Sequence, residues 1–184
     1  MKPTLLKPTL SVPLLIALGL SAVLVVGVAV AGIVLGRAAT PPTATPPAGT
    51  GPVLLVPVSA PLAGSSACAA LARTLPAALS NGGKSLRRRP LAAPAPVAAA
   101  AWGAGDPVVL RCGIERPPEL TATSELLEVS GVRWFEVTGD GAATWYAVDR
   151  PAVVALTLPD GLNTGPIQDV STAINAAMPA VPVF

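Results

Sequence analysis

Residues 97–114 read VAAAAWGAGDPVVLRCGI, and this stretch decides the fold. Two apolar runs, 97–102 and 107–114, flank Gly103-Ala104-Gly105-Asp106, where the glycines favour a reversal of the chain. The pattern predicts a β-hairpin. Along the second run Val108, Leu110, Cys112 and Ile114 fall at period two on one face, with Arg111 on the other. Cys112 is thereby placed on the core side, where a helix carrying the other cysteine, Cys68, can meet it.

Toward the C-terminus, 132–138 and 143–149 form a second hairpin around Gly139-Asp140-Gly141, and 152–158 is a further strand ended by Pro159-Asp160-Gly161. Residues 166–178 carry Ile167, Val170, Ile174 and Ala177 at helical spacing, with Asp169 in the first turn. Residues 124–129 are expected as a helical turn. Toward the N-terminus, 85–89 is a short strand and Asn81-Gly82-Gly83 a turn. Ser65 or Ser66 caps a helix through Leu79, with Ala67, Leu71, Leu75 and Leu79 on one face, Cys68 beside them and Pro76 as a kink. Residues 53–59 are a first strand that Pro57 demotes to an edge or a bulge. Hairpin-joined strands with two helices outside them imply an α+β fold: a mostly antiparallel sheet of about five to seven strands with both helices on one face.

Farther out the chain changes character. Residues 38–52 hold five prolines, four threonines and no charge, the composition of an extended linker. Before it, 14–35 is 22 residues of almost pure Leu, Val, Ile, Ala and Gly. As a helix this run spans roughly 33 Å, the thickness of a bilayer core. The expected organisation is a cytoplasmic N-terminus over 1–11, a transmembrane helix over 12–37, the linker over 38–52 and an exported domain over 53–184. Lys2 and Lys7 precede the span while Arg37 alone closely follows it, so the positive-inside rule keeps the N-terminus in the cytoplasm. Ala29-Val30-Ala31 resembles a signal-peptidase site, but the apolar run is longer than the usual signal core, which favours an uncleaved anchor over secretion. An even pair of cysteines in an oxidising compartment points to a Cys68–Cys112 disulfide, against two buried free thiols.

Composition removes whole function classes. The 184 residues include 22 prolines, 17 glycines and no histidine, which excludes Ser-His-Asp, Cys-His and HExxH chemistry. The net charge of +2 divides into +3 from Lys2, Lys7 and Arg37, and −1 from the nine bases and ten acids after residue 52. No basic excess on the domain supports nucleic-acid binding. Gly83-Lys84-Ser85 lacks the upstream glycine of a P-loop, and Lys84 in a polar turn is a poor partner for a Ser-Lys dyad. Glu115, Glu119, Glu125 and Glu128 lie in a Pro-rich connection where solvated surface explains them, and Asp140 and Asp160 are turn residues. No catalytic set, metal site or cofactor motif stands out.

The candidate ligand-binding residues are Arg87, Arg88 and Arg89, the densest charge cluster, together with Trp102 and Arg111. Arginine forks match phosphate and carboxylate oxyanions; the plainer reading is an edge strand guarded by bases. Trp102, Trp134 and Trp145 offer a stacking platform for sugars or, more simply, core filling. Arg111, Arg133 and Arg150 read most plainly as partners for Glu136 or Asp149.

Trp102-Gly103, Asp106-Pro107 and Leu110-Arg111-Cys112-Gly113 resemble the central block of an actinobacterial family of exported envelope proteins, the domain of unknown function 3515. Cys68 with Leu71 and Leu75-Pro76, Arg87-Arg88-Arg89, Val132-Arg133-Trp134, Trp145 and Val148-Asp149-Arg150-Pro151 extend the resemblance over nearly the whole domain. Ala104-Gly105 is an insertion in the turn. The resemblance implies one membrane span and an exported domain; it implies no activity and carries no catalytic residues. The functional expectation is a non-enzymatic binding or accessory module, held to the membrane by its N-terminal helix, for an envelope protein, an anionic wall polymer or a lipid. A carboxylate-dependent wall hydrolase or transferase, or a mainly structural envelope protein, is the alternative.

Overall fold

The computed structural model describes residues 49–184; the expected cytoplasmic stretch, membrane helix and all but the end of the linker lie outside the described residues. Helix α1 covers Ser66–Thr74. The Ser65 hydroxyl caps it by accepting from the Cys68 amide at 3.3 Å. Its end falls short of the expected Leu79: Leu75 is already extended, because the ring of Pro76 disfavours helical backbone in the residue before it. The residues after the proline become strand β1, Ala78–Asn81, which turns through Gly82-Gly83 into β2, Lys84–Arg89. Gly82 and Gly83 both have positive φ, the conformation a two-residue hairpin turn requires.

The hairpin at the centre is present as β3, Ala99–Trp102, and β4, Val108–Ile114. After β4 the chain crosses to the far side and returns through β5, Leu127–Val129, β6, Val132–Thr138, β7, Ala142–Ala147, and β8, Val153–Pro159. Helix α2, Gly165–Ala177, follows. The sheet has eight antiparallel strands in the order β1-β2-β3-β4-β8-β7-β6-β5, one more than the upper expectation. Two strands are unexpected, β1 in place of the end of the helix and β5 in place of a helical turn, while the strand expected over 53–59 is absent; Ser130-Gly131, both at positive φ, reverse the chain and pair Leu127 with Trp134.

Both helices pack on one face. There Trp102, Trp134, Leu110, Leu156 and Val154 join Leu71 of α1 and Val170 and Ile174 of α2 in one core. Helix α2 touches β1 at one edge of the sheet and β5 and β6 at the other, so the sheet curls around it. Polar bonds mark both contacts: Asp169, which lies past the first turn of α2, accepts from the Ser80 amide at 2.6 Å, and the Trp134 indole donates to Ser171 at 2.9 Å. The disulfide Cys68–Cys112 joins α1 to β4 inside this core.

The opposite face is covered in part by residues 53–59. They do not form the expected strand. Val53 makes a single parallel bridge to Leu91, Val53 and Leu55 pack on Ala101 and Val109, and the rest of the segment joins no ladder. Pro57 has no N–H to give to a ladder. A register shift between Cys112 and Ile114 bends the end of β4. Gly113 sits there at φ +82°, and a Cβ on it would lie 2.2 Å from the Leu62 carbonyl carbon. Because of this bulge Ile114 leaves the core face expected for it and lines the outer surface beside Arg111.

Candidate functional site

Arg111 is the one charged side chain on β4 and projects from the outer face of the sheet. Its cross-strand neighbours are Ala99 on β3 and Ala155 on β8, both too small to fill the space around a guanidinium. Two strands farther on, Thr144 pairs with Thr157, their hydroxyls 3.0 Å apart, and Tyr146 pairs with Ala155. These residues floor a cleft of about 460 Å³. One wall is the extended segment at Val58 and Ser59, and the other is the chain leaving β4 from Ile114 to Glu119. The Ser59 hydroxyl donates to Glu115 at 2.8 Å and ties the walls together.

Electrostatics distinguish this cleft. The Arg111 Nη2 donates to the Val56 carbonyl at 3.0 Å, while its buried Nε has no partner among the described residues. Burial pushes the guanidinium below its ordinary range, since desolvation disfavours the charged form. Burial also pushes the Tyr146 phenol upward, and the Glu119 carboxylate adds to that rise. The cleft thus holds one incompletely bonded cation on its floor and a neutral phenol beside it, with Glu115, Glu119 and Arg116 at its rim, the last donating to the Val183 and Val148 carbonyls. Such a volume fits a small ligand or the end of a chain.

The family model described as Protein of unknown function (DUF3515) matches residues 18–183. The chain belongs to that family. No curated protein and no solved structure matches it. In this DUF3515 chain the arginines that flank the central block have divergent fates. Arg89 is a latch: Nε and Nη2 both donate to the Gly51 carbonyl, at 3.0 and 2.6 Å, and Nη1 reaches the Gly103 and Gly105 carbonyls at 3.2 Å. Arg88 lies over the Trp102 ring, 5.7 Å from its centroid, and Arg87 is exposed. Together with Lys84 they line a groove separate from the Arg111 cleft.

Trp102 is corrected from a ligand surface to a core residue. It is fully buried and its indole donates to the Pro76 carbonyl at 3.0 Å, so the ring has no face left for a sugar. Trp134 is equally buried, and only Trp145 is partly exposed. Arg150 pairs with Asp149 at 2.9 Å in the interior and also bonds the Gly131 carbonyl and Asn175, which joins the β7–β8 connection to α2. Arg133 approaches Glu128 rather than Glu136, at 4.0 Å on the surface. Among the described residues no group of acids and cysteines is placed to hold a metal ion.

Sequence reasoning named Arg111 but missed its companions Tyr146, Thr144 and Thr157. The signal was present in part: on β7, Thr144 and Tyr146 alternate with Trp145, so they share a face. That this face adjoins Arg111 depends on β8 lying between β4 and β7, which no local pattern encodes.

Proposed function

We propose that the protein is a membrane-anchored, extracytoplasmic binding module with no chemistry of its own, which takes a carboxylate- or phosphate-bearing ligand in the Arg111 cleft. The observation that carries this reading is the guanidinium on the cleft floor with an unmet donor. A buried guanidinium N–H is costly to leave unbonded, and a guanidinium edge offers an oxyanion paired hydrogen bonds. The apolar run 14–35, the bases before it and the Pro/Thr-rich linker support an anchored, single-pass arrangement with the N-terminus in the cytoplasm. The family resemblance supports an actinobacterial envelope as the setting.

The test is a titration of the full chain in neutral nanodiscs with two probes, inorganic phosphate and the dipeptide alanyl-alanine, followed by calorimetry and, in the unsubstituted protein, by the Arg111 Nε–H resonance. Saturable movement with one of them is expected. Arg111→Gln should weaken that binding about 10- to 100-fold, the worth of hydrogen bonds to a charged group, with the thermal midpoint retained. No movement with either probe, or equal binding by the variant, overturns the reading.

A second reading has its own observation. Glu115 and Glu119 line the same cleft, which favours a carboxylate-dependent wall hydrolase or transferase. It expects turnover of cell-wall polymer by the pure protein, abolished in Glu119→Gln without loss of thermal stability. The binding module expects no turnover at all.

A further inference from the structure

The groove along β2 is the second charged feature of the domain, and it lies where the chain joins the domain. Lys84, Arg87 and Arg88 are exposed on it, and none of the three forms an ion pair among the described residues. The groove has a volume of about 450 Å³ between the β1–β2 hairpin and the Gly103-Ala104 turn, and Thr50 belongs to its lining. Arg89 holds that lining in place through Gly51, and the Gly105 amide donates to the Gly49 carbonyl at 3.1 Å. The last residues of the expected linker, 49–52, are therefore part of the domain, which leaves 38–48 between it and the expected membrane helix. Even fully extended in polyproline form, eleven residues reach only about 34 Å. The basic groove is at the end of the domain where the chain enters it, no more than that reach from the apolar run.

From this placement we infer that the β2 groove is a docking surface for the anionic headgroups of the bilayer that carries the anchor. The inference rests on the anchored reading above. Three unpaired cations supply the charge complement. At the increment usual for a basic side chain near an anionic surface, they favour an anionic over a neutral bilayer about 100-fold. The tether raises the effective concentration of headgroups at the groove, so modest intrinsic affinity suffices. Arg89, bound to the Gly51, Gly103 and Gly105 carbonyls, holds the strand rigid beneath the three cations. Docked in this way, the domain presents its tethered end to the lipid.

The experiment places the full chain in vesicles of phosphatidylcholine alone and of phosphatidylcholine with phosphatidylglycerol. Flotation with the neutral vesicles reports the anchor, independently of the groove. Hydrogen exchange of the amides over 84–89 and 103–105 reports docking. The expected result is flotation with both, and exchange slowed at least about tenfold in the anionic vesicles only, reversed by salt. Lys84→Gln with Arg87→Gln should cut the preference to the roughly fivefold that Arg88 alone supplies, with the thermal midpoint unchanged. Flotation with equal exchange in both vesicles overturns the docking alone. Failure to float with neutral vesicles overturns the anchor and the docking with it. A last arm adds soluble polyphosphate to the neutral vesicles; protection there without protection by phosphatidylglycerol overturns the lipid in favour of a wall polymer.

Discussion

Tyr146 is the chain's one tyrosine, so its ionisation can be followed by tyrosinate absorbance with no other phenol contributing. Burial raises its pKa first and Glu119 second, so the folded midpoint should lie above the ordinary value of about 10. The unfolded chain should return to that value. Glu119→Gln should lower the folded midpoint part of the way, leaving the contribution of burial. The sign for stability follows. The neutral phenol is the form the fold favours, so its contribution is complete below the unfolded pKa and is lost as pH rises through the folded one. Alkaline denaturation should therefore shift to higher pH in Tyr146→Phe. Arg111 was legible at this scale as the lone cation of an apolar strand. Arg89 was not legible as a latch, because its four acceptor contacts come from residues 51, 103 and 105, which only folding assembles.

The elements were legible where periodicity was long and turn chemistry plain. Helix α2 and strands β4, β6 and β8 fall within a residue or so of their expected bounds. The departures have local causes: Pro76 ends α1 early, Gly113 bends β4, and Ser130-Gly131 makes a hairpin of a stretch without alternation. The curled sheet depends on α2, and one polar contact joins them in the interior. Ser171→Ala would leave the buried Trp134 indole without its acceptor at 2.9 Å. The expected cost is about 1–2 kcal/mol, the penalty of an orphaned donor less the small gain in helix propensity. Urea denaturation with an unchanged slope and a lowered midpoint is the result to look for.

At the scale of the whole molecule the disulfide is the main covalent constraint, closing a loop with a sequence separation of 44 between α1 and the central strand. In the chain-entropy account such a loop restricts the unfolded state enough to stabilise the fold by about 4 kcal/mol. Denaturation of the reduced and alkylated protein should show a loss of that order; no loss would mean that burial alone holds α1 on the sheet. The pair Cys68 and Cys112 was legible because the chain has two cysteines, and period two put Cys112 on the core face. Local sequence determined the β3–β4 and β6–β7 hairpins, helix α2, the start of α1, the buried face of β4 and the absence of imidazole chemistry, since these depend on periodicity, turn residues and composition. The tertiary structure alone decided that β8 pairs with β4, and that Arg111 and Tyr146 share a cleft while Arg87 and Arg88 do not join them. The physical reason is that strand order is a choice among non-local pairings, each of which satisfies the same backbone hydrogen bonds. Which pairing wins depends on the summed burial of the whole core, and the outer-face site is a by-product of that choice.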